Sequence, residues 1–254
     1  MVAVAHGSRD PRAAATTEGL LAVVRARAPR HGVPGLQVRT AFLEHCAPAL
    51  PQVLGSLAPE ASSCVVVPLL LAAAYHAKLD IPGQVSEGRS AYRDLDIAIA
   101  DALGPDDLLL AALDRRLREA YRGPRHETSV VLAAAGSSDP AANAANAALA
   151  ARWGRMGGWR RVVPAYASAA SPSPAEAVAG LSRDAGPVVV ATYLLAPGYF
   201  ADKIRDTSLA AGATAVSGVL GAVPEVADLV LFRYRAAVRA GARPGAMGPL
   251  AVQA

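Results

Sequence analysis

Lysine is nearly missing from this chain of 254 residues. Of its 25 basic residues only Lys78 and Lys203 are lysines, and arginine supplies the rest. Aromatic residues make up 5% and are not interleaved with the basic ones, so no nucleic-acid partner is expected. Cysteine occurs twice, as Cys46 and Cys64, without a CxxC spacing. No disulfide framework follows, both thiols are expected to be inert packing groups, and the expected compartment is a reducing cytoplasm. Apolar residues reach 53%, much of it alanine, yet no uninterrupted run has the roughly 18 residues of a membrane span, so no membrane partner is expected. The first residues run straight into an apolar strand and meet His6, so no signal peptide is expected. A GxxxxGK[ST] loop is also missing, which argues against nucleotide-driven chemistry.

What is present is a sequence written twice. Val2-Ala3-Val4-Ala5-His6-Gly7-Ser8-Arg9-Asp10-Pro11 returns as Val131-Leu132-Ala133-Ala134-Ala135-Gly136-Ser137-Ser138-Asp139-Pro140. Val65-Val66-Val67 ahead of Tyr75-His76 returns as Val188-Val189-Val190 ahead of Gly198-Tyr199, and Val38 to Phe42 returns as Val162 to Tyr166. These registers lay His6 on Ala135, Glu44 on Ser168 and His76 on Tyr199. Two histidines and a carboxylate in the first copy have no like partner in the second. The pattern predicts one furnished and one emptied site on a duplicated scaffold.

Apolar β-rich runs alternate with alanine- and leucine-rich helical segments. Strands are predicted near 2–5, 37–43, 64–71 and 95–100, then near 128–134, 161–167, 187–195 and 213–219. Helices fill the intervals, the last near 224–240. The alternation predicts an α/β fold of two tandem homologous domains, each a mainly parallel four-stranded sheet flanked by helices. Gly123-Pro124 places the boundary between domains 1–124 and 125–254. Ligands of open parallel sheets bind beyond the carboxyl ends of the strands. His6, Glu44 and His76 follow the first, second and third strands, so all three are expected at one sheet edge. Two imidazoles and a carboxylate suit a divalent transition metal, and histidine also accepts protons near neutral pH.

His6-Gly7-Ser8-Arg9-Asp10-Pro11, Phe42-Leu43-Glu44 and Pro68-Leu69-Leu70-Leu71-x3-Tyr75-His76-x3-Asp80-Ile81-Pro82 resemble the signatures of the class II sirohydrochlorin chelatases. Tyr193-Leu194-Leu195-Ala196-Pro197-Gly198-Tyr199-Phe200-Ala201-Asp202 is similar to that family's second-domain motif, and the likeness spans roughly residues 1–235. The chain departs from it at Ala73-Ala74, where many members carry glycine. The resemblance implies ATP-independent insertion of Fe²⁺ into sirohydrochlorin to make sirohaem. The alternatives are Co²⁺ insertion towards cobalamin, or a non-catalytic metal or tetrapyrrole carrier. It implies His6, His76 and Glu44 as metal-handling and catalytic residues. The metal is a substrate, and no tightly bound cofactor is expected.

The polyanionic tetrapyrrole is expected in the cleft between the domains of a monomer. Expected substrate contacts are Ser8, Arg9 and the helix start after Gly7, then Gly136 and Ser137, with Lys203 at the mouth beside Lys78. His45, next to Glu44, is expected to point elsewhere. His31 and His126 are expected in solvent, Asp80 and Asp202 in local caps or pairs, and Trp153 and Trp159 in the packing of the second domain.

Overall fold

The computed structural model describes residues 1–72 and 79–241. Among the described residues the chain forms eight strands and eight α-helices. The first half runs β1 (Val2–Ala5), α1 (Pro11–Arg27), β2 (Arg39–Phe42), α2 (Leu50–Leu57), β3 (Ser63–Pro68), α3 (Ile81–Ala91), β4 (Asp96–Ile99) and α4 (Asp107–Ala120). The second half runs β5 (Ser129–Ala134), α5 (Pro140–Met156), β6 (Arg161–Tyr166), α6 (Pro174–Leu181), β7 (Val188–Tyr193), α7 (Tyr199–Ala210), β8 (Ala215–Val216) and α8 (Pro224–Gly241). The sheets are parallel throughout, ordered β2-β1-β3-β4 and β6-β5-β7-β8. Among the described residues no helix is long and apolar enough to cross a membrane.

The repeated turns fold alike because their residues repeat. Asp10 caps α1 by accepting from the Arg12 N–H at 2.9 Å, and Asp139 caps α5 by accepting from the Ala141 N–H at 2.9 Å. Pro11 and Pro140 follow, where a missing N–H costs nothing. Ser8 and Ser137 each accept the N–H of their capping aspartate, at 3.1 and 3.0 Å. The non-glycine residues with left-handed backbone, His45 and Ala169, also stand at equivalent turns.

The strand ladders adjust one register. Val2 pairs with Val66, and its counterpart Val131 pairs with Val190, so Val66 rather than Val67 is the equivalent of Val190. Further on, fully buried Ile81 and Ile204 anchor α3 and α7 at the original spacing. The repeat therefore changes length by one residue in the segment that includes His76. β8 is shorter than predicted because side chains take over its ladder. The Ser217 hydroxyl accepts the Thr192 N–H at 3.0 Å, and the Thr192 hydroxyl donates to the Ser217 carbonyl at 2.8 Å.

Each sheet buries both faces. Val2, Val4 and Val66 face α2 and α3, through Val53, Leu54 and Val85. Val131, Ala165 and Val190 face Val178, Leu181 and Ile204 of α6 and α7. The remaining faces share one central core that joins α1, α4, α5 and α8 between the two sheets. Here the terminal helices change sides: α8 packs on α1, β3 and β4, whereas α4 packs on β7 and β8. The connection around residue 124 separates the two sheets, but it does not separate the helices that cover them. Arg27 and His31 both meet Asp228 of α8, at 2.5 and 2.7 Å. Burial alone would raise the Asp228 pKa, but its hydrogen bonds from Arg27 and His31 outweigh this and hold it below the ordinary carboxylate range. His31 is therefore paired rather than solvated. Trp153 and Trp159 do pack the second half, edge to face with centroids 6.1 Å apart.

Candidate functional site

Parallel strands deliver β1 and β3 of the first sheet, and β5 and β7 of the second, to edges that face one cavity of about 280 Å³, whose lining does not include Glu44 after β2. His6 and Leu69 to Ala72 wall it from the first half. Ala134 to Gly136, Asn146 and Tyr193 to Leu195 wall it from the second. The two walls are counterparts. His6 faces the space where the repeat offers Ala135, and Leu70 and Leu71 are answered by Leu194 and Leu195. The lining is almost wholly aliphatic, which suits the face of a flat apolar ring system.

His6 stands one residue past β1, and its Nδ1 lies 3.3 Å from the Gly7 carbonyl. Glu44 follows β2, and its N–H donates to the His6 carbonyl at 2.9 Å. The second half copies this bond, with the Ser168 N–H donating to the Ala135 carbonyl at 2.9 Å. Both turns depend on glycine. Gly7 has φ +94° and Gly136 φ +86°, and a Cβ on either would overlap the carbonyl oxygen of Glu44 or Ser168. The topology thus brings His6 and Glu44 to one edge. His76, with Tyr75 and Lys78, lies outside the described residues. Among the described residues no three of His, Cys, Asp and Glu stand close enough to hold one metal ion. The Glu44 carboxylate meets His45 instead, 3.4 Å from its Nε2, so His45 does not point elsewhere. The left-handed backbone of His45, φ +62°, accompanies this approach of neighbouring side chains.

The predicted substrate contacts divide. Ser8 is not in the cavity lining, and a Cβ on Gly198 would stand 3.7 Å from its hydroxyl, so the turn before α7 abuts the turn after His6. Arg9 is exposed and makes no ion pair among the described residues. Gly136 lines the cavity, but Ser137 is spoken for: Asn143 takes its N–H at 3.0 Å and donates to its carbonyl at 2.7 Å. The Ser137 N–H is thus not offered to an incoming carboxylate.

Lys203 does not reach the cleft. Its Nζ donates to the Ala167 carbonyl at 2.7 Å, beside a separate cavity of about 150 Å³ against α6. Its place after a strand fixed the edge but not the face. Asp202 pairs locally with Arg205 at 3.2 Å, as expected, and also across the halves with Arg12 at 2.6 Å, while Arg12 in turn meets Asp10 at 2.5 Å. The hydrogen bonds from Arg12 hold both carboxyls below their usual range. That bridge fastens the start of α1 to the start of α7 at the rim. Exposed Tyr199 and Phe200, edge to face at 5.5 Å, stand beside it.

Two cavity residues are not among the site residues expected from sequence, although Tyr193 opens the second-domain motif. Tyr193 is buried, donates to the Leu71 carbonyl at 3.3 Å, and has its pKa pushed up by that burial and then by Asp106. Asn146 interrupts an alanine-rich helix, and the interruption was the available clue.

The CbiX family profile matches residues 1–120 and 129–237. The sirohydrochlorin ferrochelatase of Priestia megaterium is 29% identical over 205 residues, covering 80% of this chain and 75% of that protein. The sirohydrochlorin cobaltochelatase of the same organism is 31% identical over 144 residues, 55% of this chain and 45% of that protein. The structure of SirB from Bacillus subtilis with Fe³⁺ superposes with a TM-score of 0.80 at 27% identity, covering 94% of this chain and 95% of that one.

Proposed function

The chain belongs to the CbiX family, and on that premise we propose that it is a sirohydrochlorin chelatase that inserts Fe²⁺ to make sirohaem without ATP. The observation that carries this reading is the cavity itself, a mainly aliphatic slot closed by two copies of one sheet edge with a histidine on one copy only. Iron is favoured by the ferrochelatase relative, which aligns over more of both chains than the cobaltochelatase does. Co²⁺ is the second reading, supported by that shorter but slightly more identical match.

Metallation of a tetrapyrrole requires the ion to shed water and two pyrrole N–H protons to leave. In our reading His6 and His76 hold the incoming ion and, once it has passed to the macrocycle, accept those protons on the nitrogens it leaves. With the His6 Nδ1–H turned to the Gly7 carbonyl, the lone pair lies on Nε2, the nitrogen that would ligate. Glu44 exchanges its contact with His45 for the ion and offsets its charge. The leucine walls receive the macrocycle, while Ser8 and Arg9 meet its carboxylates at the mouth. Facing edges supplied by a single chain make a monomer sufficient, and the reducing cytoplasm keeps iron ferrous.

Anaerobic absorbance assays of sirohydrochlorin with Fe²⁺ or Co²⁺ test the proposal. Substoichiometric protein should turn over many equivalents. His6→Ala should remove most of this turnover with unchanged thermal unfolding, and Glu44→Gln should slow it less. Stoichiometric binding without turnover would make the protein a carrier.

A further inference from the structure

Nearly every wall of the cavity is apolar, and one buried amide interrupts it. Asn146 lies on α5, is 8% exposed, and shares the cavity with His6. Among the described residues its carboxamide makes no hydrogen bond. The polar groups around it are committed elsewhere. The Tyr193 hydroxyl donates to Leu71, and the amide of Asn143, one turn back, is bonded to Ser137 at both ends.

The duplication supplies the comparison. The spacing that lays Ala135 on His6 lays Asn146 on Thr17 of α1. Thr17 is equally buried, at 4% exposed, and satisfies its hydroxyl on the Ala13 carbonyl at 3.1 Å. Asn146 is bulkier, carries both a donor and an acceptor, and commits neither to the protein, and it is not among the fully buried unpaired polar groups because it faces the cavity. An amide that faces an otherwise apolar cavity with its donor and acceptor uncommitted to the protein is available to a partner that arrives from outside.

We propose that Asn146 is a substrate-binding residue whose Nδ2–H donates to a carboxylate of the tetrapyrrole where one acidic arm enters the cavity. This rests on the function proposed above. The periphery of such a substrate is rich in carboxylates, and hydrogen bonds to ionised acceptors are the stronger kind. A neutral donor attracts the anion without burying a second charge. The half without a metal-site histidine thus holds the substrate that the other half metallates.

The test compares full-length wild type, Asn146→Ala, Asn146→Asp and Asn146→Leu. It reads steady-state iron insertion, affinity for metal-free sirohydrochlorin by fluorescence quenching, and thermal unfolding without ligand. In the alanine variant Kd and KM should rise about tenfold with kcat nearly unchanged, as expected for one lost hydrogen bond to a charged group. The aspartate variant should bind more weakly still, because carboxylate would face carboxylate. The leucine variant should unfold at or above the wild-type temperature, since leucine meets apolar neighbours there. A structural amide gives the opposite pattern, lower unfolding temperatures in the alanine and leucine variants with KM unchanged, and that result overturns the proposal. An aspartate variant that binds as tightly as wild type overturns the carboxylate partner. Wild-type protein that neither binds nor metallates sirohydrochlorin overturns the function and this proposal with it, a failure that the wild-type assay identifies by itself.

Discussion

Gly7→Ala and Gly136→Ala form a matched pair, because the same turn occurs once beside His6 and once beside Ala135. Each adds a single methyl to a left-handed residue, at φ +94° and +86°. In each case the methyl overlaps a carbonyl oxygen, with the carbonyl carbon 2.9 Å away at Glu44 and 3.0 Å away at Ser168. Left-handed backbone with a Cβ costs about 1–2 kcal/mol, and relieving the overlap adds about as much local strain. Each variant should therefore lose about 2–4 kcal/mol, which at roughly 2–4 °C per kcal/mol for a chain near this size is a fall of about 4–16 °C in Tm. The two melting curves should shift together, whereas activity should separate them. Gly7→Ala displaces the strand-end residues Glu44 and His6, and misplacing a reacting group by about 1 Å costs on the order of a hundredfold in rate. Gly136→Ala moves Ser168 and Ala135, which do no chemistry in this reading, so its kcat/KM should fall less than about tenfold at a temperature where both variants stay folded. Differential scanning fluorimetry and anaerobic metallation kinetics read both quantities. Equal loss of activity, or near-wild-type turnover in Gly7→Ala, would refute the placement of the chemistry on the first sheet alone.

Metal binding should reach one ion per chain, because the second copy offers Ala135 and Ser168 where the first offers His6 and Glu44. Anaerobic titration followed by anomalous scattering checks this, and an equally occupied ion near Ser168 would contradict it. Acid should unfold the protein partly through the α8 interface. The folded pKa of Asp228 is depressed, so its contribution is complete above its unfolded value near 4 and drains away as pH falls through the lower folded value. Asp228→Asn should lower Tm at neutral pH and flatten the decline below about pH 4. An unchanged pH profile would mean that the pair with Arg27 and His31 contributes nothing measurable.

The sheets were legible because their signals are local. Valine runs such as Val65 to Val67 mark strands buried on both faces, and Asp10-Pro11 and Asp139-Pro140 announce helix starts within a few residues. The edge that carries His6 and Glu44 followed from parallel topology alone. What escaped was settled by packing between distant segments. Lys203 could be assigned to an edge, but the Ala167 carbonyl chose its face. His31 looked solvated until α8 brought Asp228 to it across 197 residues. The leucines of α4 and the valines of α8 predict amphipathic helices, yet no periodicity says which sheet a helix will cover. Asn146 reads in sequence as one of two asparagines among alanines, and what sets it apart from Asn143 is the cavity beside it.

The exchange of α4 and α8 has a consequence for how the protein is made. Ribosomes release a chain from its amino end, at about 5–20 residues per second in the regime where domains fold as they emerge. β1 to β4 will have emerged while the helix that covers part of their inner face, starting at Pro224, is still untranslated. For about 5–25 s the nascent first sheet carries an open aliphatic surface, and the helix that follows it, α4, belongs to a sheet not yet made. The edge proposed to be catalytic is thus the first part of the enzyme synthesised and among the last to be completed. A message broken before the codons for α8 would yield a polypeptide with every proposed catalytic residue and an uncovered sheet, a substrate for chaperones and proteases rather than a smaller enzyme.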